Sequence, residues 1–108
     1  MTDETSGAEL TDVPHALVID LTEVRNAEEL HRLLQRDLRF PDFYGRNWDA
    51  LWDAVTGLVD LPHELTFTGW AAFSAALPAE ARTLRGLFDD YLRASGQYLA
   101  VPRRIHYR

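Results

Sequence analysis

The amino-acid sequence predicts an α/β domain in which helices pack on a parallel β-sheet. Three short segments, residues 15–20, 65–68 and 97–101, have the apolar or alternating character of strands. Segments with helical periodicity separate these strands along the chain. Since strands joined through helical crossovers run parallel, we expect one three-stranded parallel sheet covered by about four helices.

Length and composition limit this fold to a single domain. The chain has 108 residues, of which 46% are hydrophobic and 11% aromatic, enough for one core and too little for two. Residues 1–13 are polar and acidic and lack periodicity, so we expect a disordered acidic tail there. The folded domain is expected to cover residues 14–108.

The first strand and the first helix follow this tail. Residues 15–20, HALVID, contain three consecutive apolar residues, which is typical of a central strand covered on both faces. Asn26 followed by Glu29 has the spacing of a helix N-cap. A leucine stripe then predicts a helix over residues 27–39, which ends where Phe40 precedes Pro41.

A loop and a short second helix come next. The loop over residues 41–46, PDFYGR, contains Gly45, which can take a positive φ. Asn47 is expected to cap the second helix. Thr56 and Gly57 are expected to close it, with Gly57 in the left-handed conformation that is common after a helix.

The rest of the chain supplies the remaining elements. Residues 65–68, LTFT, alternate as a strand, and residues 69–77 and 79–95 have helical spacing with Pro78 between them and Gly96 as the stop. The third strand, residues 97–101, is expected to end at Pro102, which cannot donate to a sheet. Residues 103–108 would then form an extended terminus.

Charge and residue usage exclude several functional classes. The net charge of -6 and the isoelectric point near 5.0 argue against a nucleic-acid binder and favour a basic partner. The absence of cysteine excludes disulfides and thiolate sites. No apolar run is long enough for a membrane span, and the acidic N-terminus is unlike a signal peptide. We therefore expect a cytoplasmic protein without membrane contact.

The sequence lacks the motifs of catalysis and metal binding. It contains no GxSxG motif and no phosphate-binding glycine loop. The histidines fall on different predicted elements without metal-ligand spacing, and each is expected at a surface or an edge: His15, His31, His63 and His106. We expect no catalytic residue, no bound metal and no cofactor.

Asp49 and Asp53 form the most unusual pattern in the chain. They lie one turn apart on the second helix, away from its apolar side, and such like charges repel by about 0.2–0.5 kcal/mol. Because both carboxylates project from one helix in similar directions, they cannot flank a substrate bond as glycosidase acids do. The pattern alone is consistent with a binding face and with a merely solvated face.

Residues 40–57, FPDFYGRNWDALWDAVTG, resemble the barstar family of intracellular ribonuclease inhibitors. The loop, the Tyr-Gly-x-Asn cap, the Asp-Ala-Leu-Trp-Asp core and the closing Thr-Gly occur in register without gaps. The order of elements also fits, over residues 16–101. The resemblance implies a barstar-like fold and inhibition of a secreted guanyl-specific ribonuclease, whose active site the second helix and its flanking loop would cover.

The resemblance also implies which residues would bind the partner. Asp53 would enter the phosphate pocket of the ribonuclease and Asp49 would pair with cations at its rim, so that the acids mimic RNA phosphate. The other implied contact residues are Phe43, Asn47, Trp52, Thr56, Gly57 and Asp90, with Asp89 as the alternative to the last.

Three positions depart from barstar's own pattern. Phe43 replaces a tyrosine, Leu58 replaces a contact tryptophan, and Arg46 stands where barstar carries an acid. These changes should weaken or redirect binding to barstar's own target. The alternative function is therefore an immunity or binding module for a different toxin or basic protein, and the uncompensated acids disfavour a purely structural domain.

Overall fold

A computed structural model describes residues 15–95 and 102–108 of the chain. In chain order, the elements over these residues are β1 (Ala16–Asp20), α1 (Ala27–Leu38), α2 (Trp48–Asp53), a π-helical turn (Ala54–Leu58, the π turn), β2 (Glu64–Thr68), α3 (Trp70–Ala76), α4 (Pro78–Ser95) and β3 (Arg104–Tyr107). The predicted α/β fold with a three-stranded parallel sheet is confirmed.

The sheet has the strand order β1-β2-β3, so β2 lies in the centre and β1 at an edge. The prediction of β1 as the central strand is wrong. Although its apolar residues are consecutive, alternation turns Ile19 inward, where it is buried, while Val18 faces outward and is 61% exposed. The central strand is the one with the alternating pattern, because only its inner face is covered by helices.

The C-terminal segment corrects a second expectation. Residues 104–107, RIHY, were expected to lie beyond the sheet, but they form β3 and pair with β2 from Glu64 opposite Arg104 to Phe67 opposite Tyr107. Pro102 therefore precedes the last described strand and does not end it, which suits a residue without an N–H donor. The predicted strand at 97–101, the stop at Gly96, the acidic tail at 1–13 and the domain start at Pro14 lie outside the described residues.

The core lies between the inner face of the sheet and the helices. Leu65 and Phe67 of β2 are at most 1% exposed, and the Phe67 ring lies 5.7 Å from that of Phe88 on α4. Burial of such side chains stabilises the fold by about 1.5–3 kcal/mol each. Helix residues in the same core include Leu30 and Leu34 of α1, Leu51 of α2, Phe73 of α3 and Leu84 of α4.

The helix starts follow local rules. Asn26 caps α1 as predicted, because its Oδ1 accepts a hydrogen bond from the backbone N–H of Glu29 at 2.9 Å. The carboxylate of Glu29 reaches back to the N–H of Arg25, also at 2.9 Å. Helix α4 begins at Pro78 itself, since proline is well suited to the first helical position.

Candidate protein-binding site

The loop that precedes α2 is fixed to α1 by Gln35. The Nε2 of Gln35 donates to the carbonyl of Pro41 at 3.0 Å, and its Oε1 accepts from the Nε of Arg46 at 3.3 Å. The N–H of Tyr44 closes a turn onto the same Pro41 carbonyl at 3.0 Å. Arg46, and not the neighbouring Gly45, takes the left-handed conformation, with φ of 56°. The backbone therefore turns directly before the helix cap.

A buried histidine holds the same loop from inside. His31 of α1 is 2% exposed, its Nδ1 lies 2.6 Å from the Tyr44 hydroxyl, and its ring meets Trp48 edge-on at 4.8 Å. Burial lowers the pKa of His31 and raises the pKa of Tyr44, so the pair is a neutral hydrogen bond. The expectation that His31 is a surface or edge residue is wrong, because the loop folds over this face of α1.

Asn47 caps α2 as the sequence predicts. Its Oδ1 accepts from the N–H of Ala50 at 2.7 Å, and its Nδ2 donates to the carbonyl of Gly45 at 3.3 Å. Both ends of the amide are therefore engaged within the protein, although the residue is exposed. Its first role is to fix the start of α2, and a partner would have to share its hydrogen bonds.

Asp49 and Asp53, here called the acidic face, both lie exposed on α2. Their helix is anchored through Leu51, which is fully buried, and Trp52 is half-buried beside the core. Within residues 15–95 and 102–108, neither carboxylate forms an ion pair. Arg46, the nearest cation in sequence, is turned to Gln35 instead. The acidic face thus presents two charges that no described residue neutralises in an ion pair.

The end of α2 widens into the π turn. The N–H of Val59 donates to the carbonyl of Ala54 at 3.1 Å, five residues back, and the Oγ1 of Thr56 donates to the carbonyl of Trp52 at 2.6 Å. The prediction of a left-handed Gly57 is wrong, because the helix continues through this residue. Thr56, Gly57 and Leu58 are exposed and line a shallow cavity of about 200 Å³ with Val59 and Asp60. Such turns are frequent at functional sites.

Exposed apolar side chains lie both in the loop before α2 and in the π turn after it. Phe43, in the loop before α2, is 76% exposed, and Leu58, in the π turn, is 49% exposed. Phe43 was among the predicted contact residues, whereas Leu58 was noted only as a departure from barstar's pattern. Helical periodicity gives no signal for its exposure, because an α-helix continued past Gly57 would place Leu58 seven residues after the buried Leu51 and within about 20° of it around the helix axis. The two side chains place exposed apolar surface on the segments that precede and follow α2 in the chain.

Asp90 lies apart from the other predicted site residues in the chain. It is exposed on α4 and already forms an ion pair with Arg93, one turn along the same helix. The alternative residue, Asp89, is also exposed, and its charge contributes to raising the pKa of the Tyr107 hydroxyl, which burial raises first, to about 12. The other predicted residues all lie on one continuous segment of the chain, from Phe43 to Gly57.

Two structural features were searched for in the described part of the chain: clusters of three or more metal-ligand side chains, and helices able to span a membrane. No group of three or more His, Cys, Asp or Glu side chains there could hold a metal ion. No helix over the same residues has the length and apolar character needed to cross a bilayer.

Comparison with known proteins identifies the family. The family model described as Barstar (barnase inhibitor) matches residues 14–104, and this description is that of an inhibitor and not of an enzyme. A Bacillus subtilis (strain 168) protein named "Putative ribonuclease inhibitor YrdF" is 56% identical over 46 residues, or 43% of this chain. The match spans 50% of the length of that relative. The chain belongs to the barstar family.

Proposed function

We propose that the chain is a cytoplasmic inhibitor of a secreted guanyl-specific ribonuclease, and that it covers the active site of that enzyme with α2, the preceding loop and the π turn. The observation that carries the proposal is the acidic face, whose two exposed carboxylates have no ion-pair partner in the described part of the chain. Family membership and the name of the B. subtilis relative support it.

The acidic face would act by replacing RNA phosphate. Ribonuclease clefts bind phosphate with cationic side chains, and a carboxylate accepts charge-assisted hydrogen bonds from arginine in a similar way. Aspartate suits this role, because its short side chain loses little conformational entropy on binding. In the proposal, Asp53 enters the phosphate pocket, Asp49 pairs with cations at its rim, and Asp90 exchanges Arg93 for a cation of the partner.

The apolar residues would anchor the contact around these charges. Phe43 is free to stack on an aromatic or imidazole ring of the enzyme, since most of its surface is exposed. Trp52 borders the acidic face and gives a large anchor of the kind that dominates interfaces. Because Gln35, His31 and Tyr44 already hold the loop, little ordering of the backbone would be needed on binding.

Asn47, Thr56 and Gly57 would line the contact at close range. Beyond the adjoining backbone, a Cβ atom built on Gly57 meets no atom of the described residues within 4 Å, so none of these residues requires a glycine there. Close approach of the partner to the π turn would explain the missing side chain.

A titration of ribonuclease activity tests the proposal. Increasing amounts of the purified chain are added to a guanyl-specific ribonuclease such as barnase, and RNA cleavage is followed at each ratio. An inhibitor of this kind abolishes activity at a fixed stoichiometry and does not cleave RNA by itself. Turnover of RNA by the purified chain, or unchanged ribonuclease activity across a panel of secreted guanyl-specific enzymes, would refute it.

The second candidate function is an immunity or binding module for another basic toxin. Arg46 and Leu58 favour it, because a cation and an aliphatic side chain stand at positions where barstar carries an acid and a tryptophan. A pull-down with the purified chain, compared with an Asp53→Ala variant, separates the two functions. Capture of a basic toxin other than a guanyl-specific ribonuclease, lost in the variant, would support the second.

A further inference from the structure

Two histidines outside the acidic face lie side by side where the sheet begins. His15 directly precedes β1 and His63 directly precedes β2, and the N–H of Glu64 donates to the carbonyl of His15 at 3.0 Å. The parallel register, with Ala16 opposite Glu64, therefore sets the two histidines next to each other. Their Nδ1 atoms are 3.1 Å apart, and their rings meet at 79° with centroids 4.9 Å apart.

This separation fits two ligands of one metal ion. Imidazole nitrogens bind Zn²⁺ at about 2.0–2.1 Å, so two of them are separated by about 2.9 Å at a right angle and about 3.4 Å at a tetrahedral angle. The Nδ1 atoms of His15 and His63 fall within that interval. We propose that His15 and His63 form a two-histidine site for a transition-metal ion such as Cu²⁺, Ni²⁺ or Zn²⁺, with water as the remaining ligands.

The described residues leave the pair open to an ion from solvent. His15 is exposed and His63 is half-buried. The nearest acid in sequence, Glu64, is engaged by the Nε2 of His106 at 2.9 Å. Over residues 15–95 and 102–108 no third ligand residue completes a cluster, so the described residues supply two ligands. Affinity should then follow the intrinsic order of the metals, with Cu²⁺ bound more tightly than Ni²⁺ or Zn²⁺.

A bound ion would connect two segments that are distant in the chain. The ligands are 48 residues apart in sequence, and only the folded sheet brings them together. Sequence motifs cannot reveal the pair, because metal motifs are recognised by short spacings and this pair depends on strand register. An ion that binds the folded chain and not the unfolded one raises the temperature of unfolding.

Metal titration of the full chain without an affinity tag tests the proposal. CuCl₂, NiCl₂ and ZnCl₂ are added at pH 7.5 in separate experiments, with calorimetry for stoichiometry and affinity and thermal unfolding as the second readout. We expect one Cu²⁺ per chain and a higher unfolding temperature. His15→Ala and His63→Ala should each weaken binding at least about tenfold, since even loss of a residue that only supports a ligand costs about 10–100-fold.

Matched controls keep the result interpretable. His106→Gln removes a histidine that is not part of the pair and should bind Cu²⁺ like the parent chain. Circular dichroism verifies that each variant is folded, and the electron paramagnetic resonance spectrum of bound Cu²⁺ should show nitrogen ligands that disappear with His15 or His63. Equal affinity of the parent and both variants would overturn the proposal. Absence of saturable binding would also overturn it and leave the contact as a hydrogen bond between neutral rings.

Discussion

Replacing Asp53 with alanine should change binding and stability in opposite directions. In the free protein Asp53 is exposed, forms no ion pair with the described residues and lies one turn from Asp49. Removing it relieves a like-charge contact worth about 0.2–0.5 kcal/mol, and alanine is also the better helix former. Asp53→Ala should therefore be as stable as the parent chain or slightly more stable in urea unfolding.

Binding to the ribonuclease should weaken strongly in the same variant. Truncating one partner of a buried charge pair costs about 2–5 kcal/mol, because the cation of the enzyme is left unpaired, and this equals about 30-fold to several thousand-fold in Kd. The assay measures the inhibition constant and the dissociation rate, where most of the change should occur. Glu23→Ala is the matched control, since it also removes one exposed carboxylate. A change below about fivefold for Asp53→Ala, or an equal change for Glu23→Ala, would refute the assignment of Asp53 to the phosphate pocket.

Three further predictions address the contact surface, the loop and pH. Gly57→Ala should leave the free energy of unfolding within about 0.5 kcal/mol of the parent, because the new Cβ would meet no described residue beyond the adjoining backbone, yet it should weaken inhibition. Unchanged inhibition would mean that the partner does not approach the π turn. Tyr44→Phe should destabilise the chain by about 1–3 kcal/mol in urea unfolding, because the Nδ1 of buried His31 loses its partner, and a neutral result would contradict the loop anchor. Burial lowers the pKa of His31 in the folded chain below the value of about 6.5 that it has in the unfolded chain. Between these two pKa values the unfolded chain binds a proton that the folded chain does not, so the free energy of unfolding should fall as the pH is lowered through this window. His31→Gln should flatten this part of the stability profile, whereas an equally steep profile would assign the dependence to another group.

Features fixed by neighbouring residues were predictable from the sequence. The caps at Asn26 and Asn47 depend on a side chain and an N–H three residues later, and both occur as expected. The alternation of apolar and polar residues in β2 likewise predicts that one face of this strand is buried, as it is. The exposure of Asp49 and Asp53 follows from helical periodicity, although their role as a binding face remains a prediction.

Features fixed by distant parts of the chain were missed. Arg104 of β3 pairs with Glu64 of β2. The sequence of residues 102–108 does not by itself indicate that this segment, and not an earlier one, pairs with β2. The burial of His31 depends on the loop that folds over it, thirteen residues later in the chain. The continuation of α2 through Gly57 also went against a local rule, because glycine often marks a helix end without requiring one.

The π turn makes the length of this segment part of its recognition surface. An α-helical turn would close with one residue fewer between Ala54 and its hydrogen-bond partner, and each residue rotates a helix by about 100°. Deleting a single residue from the turn would therefore swing Leu58 and everything after it around the helix axis, while Asp49 and Asp53 stayed in place. Relatives that differ here by one inserted or deleted residue would present the same acids beside a differently oriented neighbour, so a change in chain length could alter partner choice without any change in charge.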